Sequence, residues 1–165
     1  MNPPAAAAGA LGAVALVGLT LGRFAVDGRP LLVNESRSLP RGLYVRVAAP
    51  VHPGRVVALD PPATARGYLA SLGAPANARL LKRVVAMGGE TVCADAANLR
   101  WPGGRATILA RDRTGRRLPS WRGCRRLARH ELLVLGDSPT SFDGRYFGPV
   151  PLSAVEGVYR ELRRW

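Results

Sequence analysis

The chain has 165 residues and carries a net charge of +13, from 24 basic and 11 acidic side chains. With one membrane-length segment set aside, there is chain enough for one domain with a real core. Two cysteines and two widely separated histidines exclude a structural zinc, which needs four converging ligands.

Residues 5–21 (A-A-A-A-G-A-L-G-A-V-A-L-V-G-L-T-L) contain no charge. That length is near the lower end of the about 17–25 residues that a membrane helix needs. Alanine and glycine make the run only weakly apolar, so a cleaved signal peptide competes with an anchor. Retention is favoured because no charged region precedes the run and the functional stretch follows closely. Arg23 and Arg29 lie on the side to be exported, against the usual charge rule, so orientation rests on the chemistry below.

The stretch N-E-S-R-S-L-P-R-G-L-Y, from Asn34 to Tyr44, crowds small polar residues against Pro40 and Gly42. Pro40 pushes Leu39 towards an extended backbone, so Ser38 does not belong inside a helix. Two readings are open: a turn entering a strand, or a serine nucleophile held on rigid, irregular backbone. Short strands are predicted over 43–47 and 55–59, separated by the turn P-V-H-P-G. A short helix is predicted near 65–72. R-L-L-K-R-V-V-A-M-G-G-E-T-V, residues 79–92, reads as strand, Gly88-Gly89 turn, strand.

Residues 93–129 read as an arginine-rich insertion of hairpins and loops with Trp101 and Trp121 as packing anchors. Cys93 and Cys124 lie near its ends. An even cysteine pair after an export-like segment suggests a disulfide, with two free thiols as the alternative. Strands follow at 131–135 and 155–162, flanking G-D-S-P-T-S-F-D-G-R-Y-F-G-P-V. Many short strands with frequent turn signals indicate a mainly β domain over 33–165.

Lys82 is the only lysine among the 24 basic residues. Arginine keeps its proton in proteins, whereas a buried lysine loses it near neutral pH. Leu80, Leu81, Val84 and Val85 surround Lys82 with apolar sequence, and desolvation there lowers its pKa. A neutral amine within reach of Ser38 is a general base for a serine nucleophile. The alternative is a lysine of no special role on an exposed strand face. His52 and His130 offer a competing base, but Ser38 lies in no motif that pairs with histidine. Asp143 and Arg145 are two apart and share a face on an extended backbone, where they can pair. The same residues also suit a surface turn.

Three motifs in order, S-R-S-L-P-R-G-L-Y, L-L-K-R-V-V-A-M-G-G-E and G-D-S-P-T-S-F-D-G-R-Y-F-G-P-V, together with the apolar run, resemble the serine/lysine signal peptidases. The likeness is to their conjugative-transfer, TraF-type branch and spans nearly the whole chain. It implies a signal-peptidase/LexA-like β catalytic domain behind one N-terminal transmembrane helix. Ser38 would be the nucleophile, Lys82 the base and Ser36 an oxyanion donor. Ser141 would orient the lysine, and Asp143 and Arg145 would form a structural ion pair. Cys93 and Cys124 match the paired cysteines of that branch. Two positions depart from the pattern: Leu39 stands where methionine is common, and Gly144 where serine is common, both expected to be neutral.

The implied function is a serine endopeptidase of the inner membrane, its catalytic domain facing the periplasm. It would cut exported precursors, among them pilin, after small residues. No cofactor or metal is called for. The partners implied are the precursor and membrane lipid, with no nucleic acid expected despite the charge. Two other classes compete. A LexA-type self-cleaving repressor needs a DNA-binding segment where this chain has its apolar run. A non-catalytic basic scaffold of a secretion or conjugation complex requires Ser38 and Lys82 to lie apart.

Overall fold

The computed structural model describes residues 29–165. The apolar segment 5–21 lies outside them, and among the described residues no helix is long and apolar enough to cross a membrane.

Two antiparallel sheets make up the fold. The larger takes β1 (Leu31–Asn34), β2 (Gly42–Val47), β3 (Val56–Leu59), β4 (Leu80–Met87), β9 (Glu131–Leu135), β10 (Val150–Pro151) and β11 (Val155–Arg164). Their order across the sheet is β1-β2-β11-β3-β4-β9-β10. The smaller sheet, ordered β7-β6-β5-β8, uses β5 (Thr91–Ala94), β6 (Asn98–Trp101), β7 (Gly104–Thr107) and β8 (Gly123–Arg126). Helix α1 (Ala63–Ser71) lies between β3 and β4, and a short helix α2 (Gly144–Phe147) follows β9.

Strand β3 is V-V-A-L and is buried on both faces because it is central. Val57 and Leu59 enter a core with Leu80, Val84, Leu132, Val134 and Phe147. Val56 and Ala58 enter another beside Leu39, Tyr44, Leu81 and Tyr159. Alternation on β9 works similarly: Leu132 and Val134 join the first core, while Leu133 and Leu135 join a third with Val92, Leu99 and Tyr146. Trp101 and Trp121 pack on that third core, between the sheets.

Cys93 and Cys124 are directly opposite on β5 and β8 and are joined by a disulfide. The helix predicted near 65–72 begins two residues earlier. β1, the two-residue β10 and α2 were not foreseen. β1 is an edge strand with Leu31 and Val33 exposed, and α2 has four residues, too few to show a period.

Candidate active site

The loop of residues 35–41 joins β1 to β2 and carries Ser38. Asn34, buried at the end of β1, ties this loop together. Its amide nitrogen donates to the carbonyls of Ser36 (3.1 Å), Leu39 (3.1 Å) and Pro40 (3.0 Å). Its side-chain oxygen accepts from the Ser36 amide at 3.2 Å and the Ser36 hydroxyl at 2.8 Å. The Tyr44 hydroxyl also donates to the Pro40 carbonyl, at 2.9 Å. Leu39 is inserted into the apolar cluster with Tyr44, Ala58 and Leu81.

Ser36 and Ser38 do face one another, their hydroxyl oxygens 2.7 Å apart. Ser36 lies in a bend and Ser38 in a turn, and it is this turn that brings the hydroxyls together.

Lys82 alternates with Leu80 and Val84 on one face of β4, the face that enters the first core. It is 4% exposed. Burial drives its ammonium down to about 8; the negative charge of Asp143 opposes this and the positive charge of Arg145 adds to it. Arg83 points to the other side, where it forms a two-pronged ion pair with Asp137 at 2.8 and 2.7 Å.

The segment after β9 closes the site. Ser38 offers its carbonyl to the Asp137 amide at 2.6 Å and the Ser138 amide at 3.3 Å, which clamps the serine loop to this segment. Gly136 permits the approach: a Cβ there would lie 2.7 Å from the Ser38 carbonyl oxygen and overlap the Ser141 side chain. Asp143 and Arg145 form the expected ion pair, with bonds of 2.8 and 2.6 Å and side chains 0% and 3% exposed. Its geometry differs from the extended one expected. Asp143 is the N-cap of α2 and accepts the Arg145 amide at 3.1 Å, so the pair is formed around a helix start.

Asp143 also accepts the Gly136 amide at 2.8 Å, while Arg145 donates to the Pro139 and Ser138 carbonyls at 2.8 Å each. The pair thereby fixes both ends of the loop that holds Ser141. Gly144 is not neutral in this setting. A Cβ there would lie 2.7 Å from the Val134 carbonyl oxygen, so serine does not fit without movement of β9.

Ser36, Ser38, Lys82 and Ser141 line one cleft of about 530 Å³, with Leu32, Val33, Leu69, Leu72 and Phe142 supplying apolar walls. The Ser141 hydroxyl is buried there with no hydrogen-bond partner among the described residues. A slightly larger cavity, about 600 Å³, is lined by Val45, Arg46, Val47 and Val158 and holds no nucleophile. His52 bonds to its neighbours Pro53 and Arg55, and neither it nor His130 reaches the cleft. Among the described residues no three His, Cys, Asp or Glu side chains cluster as metal ligands.

Of the residues singled out in the sequence, Ser36, Ser38, Lys82 and Ser141 come together on the cleft wall. Asp143 and Arg145 lie behind them, and the disulfide is separate, in the second sheet. Asn34 and Gly136 were missed as parts of the site. An Asn two residues before Ser36 does signal an Asx turn, but the carbonyls it holds lie up to six residues on.

The family model for signal peptidase, peptidase S26, matches residues 7–163. The chain belongs to that family. A plasmid transfer protein TraF of Escherichia coli is 38% identical over 146 residues, covering 81% of this chain and 82% of that protein. A second Escherichia coli plasmid transfer protein TraF is 34% identical over 165 residues, covering 92% and 91%. The conjugal transfer protein TraF of Agrobacterium fabrum is 35% identical over 143 residues, covering 79% and 80%. Among solved structures, a signal peptidase I of Enterococcus faecalis is 22% identical with a TM-score of 0.39, covering 67% of this chain and 97% of that one. This S26-family chain thus has a peptidase-type kinship and relatives in conjugal transfer.

Proposed function

We propose that the chain is a serine endopeptidase of the signal-peptidase type, with Ser38 as nucleophile and Lys82 as general base. The observation that carries this reading is that the sole lysine is buried, holds its proton weakly, and lines the same cleft as Ser38. A basic scaffold with no catalytic role has no use for so costly a burial of a single amine.

Neutral Lys82 takes the Ser38 hydroxyl proton as Oγ attacks the scissile carbonyl. The oxyanion is met by the Ser38 backbone N–H and the Ser36 hydroxyl. Lys82 then returns the proton to the departing amine, leaving an acyl ester on Ser38. A water deprotonated by Lys82 attacks the ester, and Lys82 passes that proton to the departing Ser38 Oγ, releasing the acid and restoring the serine. Ser141, without another partner, is the group to orient the lysine.

Relatives named for plasmid and conjugal transfer support a substrate in that apparatus; in this reading it is an exported precursor, such as a pilin, cut after small residues. In this reading residues 5–21 anchor the chain in the inner membrane and the catalytic domain faces the periplasm. The Cys93–Cys124 bond supports an oxidising compartment. The test is cleavage, by the full chain in lipid vesicles, of a precursor whose signal ends in an A-x-A pattern. Wild type cuts once and Ser38→Ala does not; equal cleavage by both would remove Ser38 from the reaction.

A further inference from the structure

We infer that Asn34 is a positioning residue for the nucleophile and acts through Ser36, an inference that rests on the peptidase reading above. The amide of Asn34 cannot be turned over. Its nitrogen is aimed at three carbonyl oxygens, and a flip would set its oxygen against all three. The Asn34 oxygen therefore faces Ser36 and acts only as an acceptor.

That orientation decides where two protons lie. A serine hydroxyl has one hydrogen, and the Ser36 hydroxyl gives it to Asn34 at 2.8 Å. In the 2.7 Å contact between the two hydroxyls, Ser38 is then the donor and Ser36 the acceptor. The Ser38 amide points to the same Ser36 oxygen, at 3.4 Å. The resting site holds a directed chain, Ser38 to Ser36 to Asn34, with the Ser38 proton turned away from Lys82. Catalysis requires the chain to reverse: Ser38 turns its proton to Lys82, and Ser36 releases Asn34 to donate to the oxyanion. Asn34 holds Ser36 at the distance from which it makes that turn. Through Leu39 and Pro40 it also holds the backbone on which Ser38 stands.

The experiment is a double-mutant cycle on cleavage by the full chain, with Ser38→Ala as the floor. Asn34→Ala is expected to lower kcat about 10- to 100-fold, the size of effect that a displacement of about 1 Å produces, with KM within about 2-fold. In the Ser36→Ala background the same change should lower kcat by only about 3-fold, because the path through Ser36 is gone and what remains is the hold on the Leu39 and Pro40 carbonyls. The kcat/KM pH profile should keep its midpoint, since Lys82 is untouched. Penalties that multiply would make Asn34 independent of Ser36 and overturn the inference. Where Asn34→Ala does not fold, Asn34→Ser, which keeps an ST-type turn, takes its place in the cycle. Failure of both to fold would make Asn34 a residue of the fold and overturn the inference too. Cleavage that does not depend on Ser38 in the wild type strikes instead at the peptidase reading itself.

Discussion

Ser36 Oγ and Ser38 Oγ lie 2.7 Å apart in a turn tied to Asn34, to the Tyr44 hydroxyl and to the segment after β9. In the proposed mechanism Ser36 is thus placed to donate to the carbonyl that Ser38 would attack. A donor aimed at a developing oxyanion is worth about 10²–10³ in rate. Ser36→Ala should lower kcat by about that factor and leave KM nearly unchanged, while Ser36→Thr keeps a hydroxyl and more of the activity. The melting temperature should fall only by the equivalent of a local hydrogen bond, about 0.5–1.5 kcal/mol. Turnover and melting of the same variant separate the two roles; a stable Ser36→Ala enzyme with wild-type kcat would leave Ser36 as a turn residue.

The pH dependence follows from Lys82. With burial lowering its pKa to about 8, roughly one lysine in ten is neutral at pH 7, against about one in 2,500 for a free side chain. If the neutral form is the base, as proposed, kcat/KM should rise with pH and level off above about 8. Stability has the same sign. The unfolded chain binds this proton more tightly than the folded one, so the burden of Lys82 is full below about 8 and is relieved as pH rises towards about 10.4. Lys82→Met should therefore melt above wild type at pH 7, with the gap narrowing in alkali. A flat profile from pH 7 to 9 would contradict the assignment.

The Cys93–Cys124 bond closes residues 93–124 and joins opposite positions of β5 and β8. It should contribute about 2–4 kcal/mol, largely by restricting the unfolded chain. Mass spectrometry of the full chain purified from its producing cells without reductant should show thiols that alkylate only after reduction. The Cys93→Ala/Cys124→Ala variant should melt lower yet keep catalytic turnover, because the bond lies in the second sheet. Free thiols before reduction would contradict both the bond in the native protein and an exported domain.

Much of this was legible because it rested on local chemistry. β3 and β9 show as apolar runs bounded by turn signals, and Lys82 stands out as one lysine inside such a run. The two cysteines had only each other to pair with. Position across the sheet is another matter. Nothing in the spacing of Ser38, Lys82 and Ser141 states that β1, β4 and the segment after β9 meet, because each strand pairing is settled by whole apolar faces. β1 escaped because an edge strand pairs on one side and leaves Leu31 and Val33 exposed. α2 escaped because its start is set by an Asp143 cap within a single turn. Gly144 was misjudged because the obstacle, the Val134 carbonyl, comes from β9, ten residues earlier in the chain.

The most direct measurement is precursor cleavage by Lys82→Arg. Arginine keeps the positive charge but does not give up its proton near neutral pH, so it cannot serve as the base. The variant's circular dichroism and melting are to be recorded beside its turnover. A folded Lys82→Arg protein should cut at the level of Ser38→Ala across pH 6 to about 9. Folded Lys82→Arg with appreciable, Ser38-dependent cleavage would contradict a lysine base and with it the Ser38/Lys82 dyad.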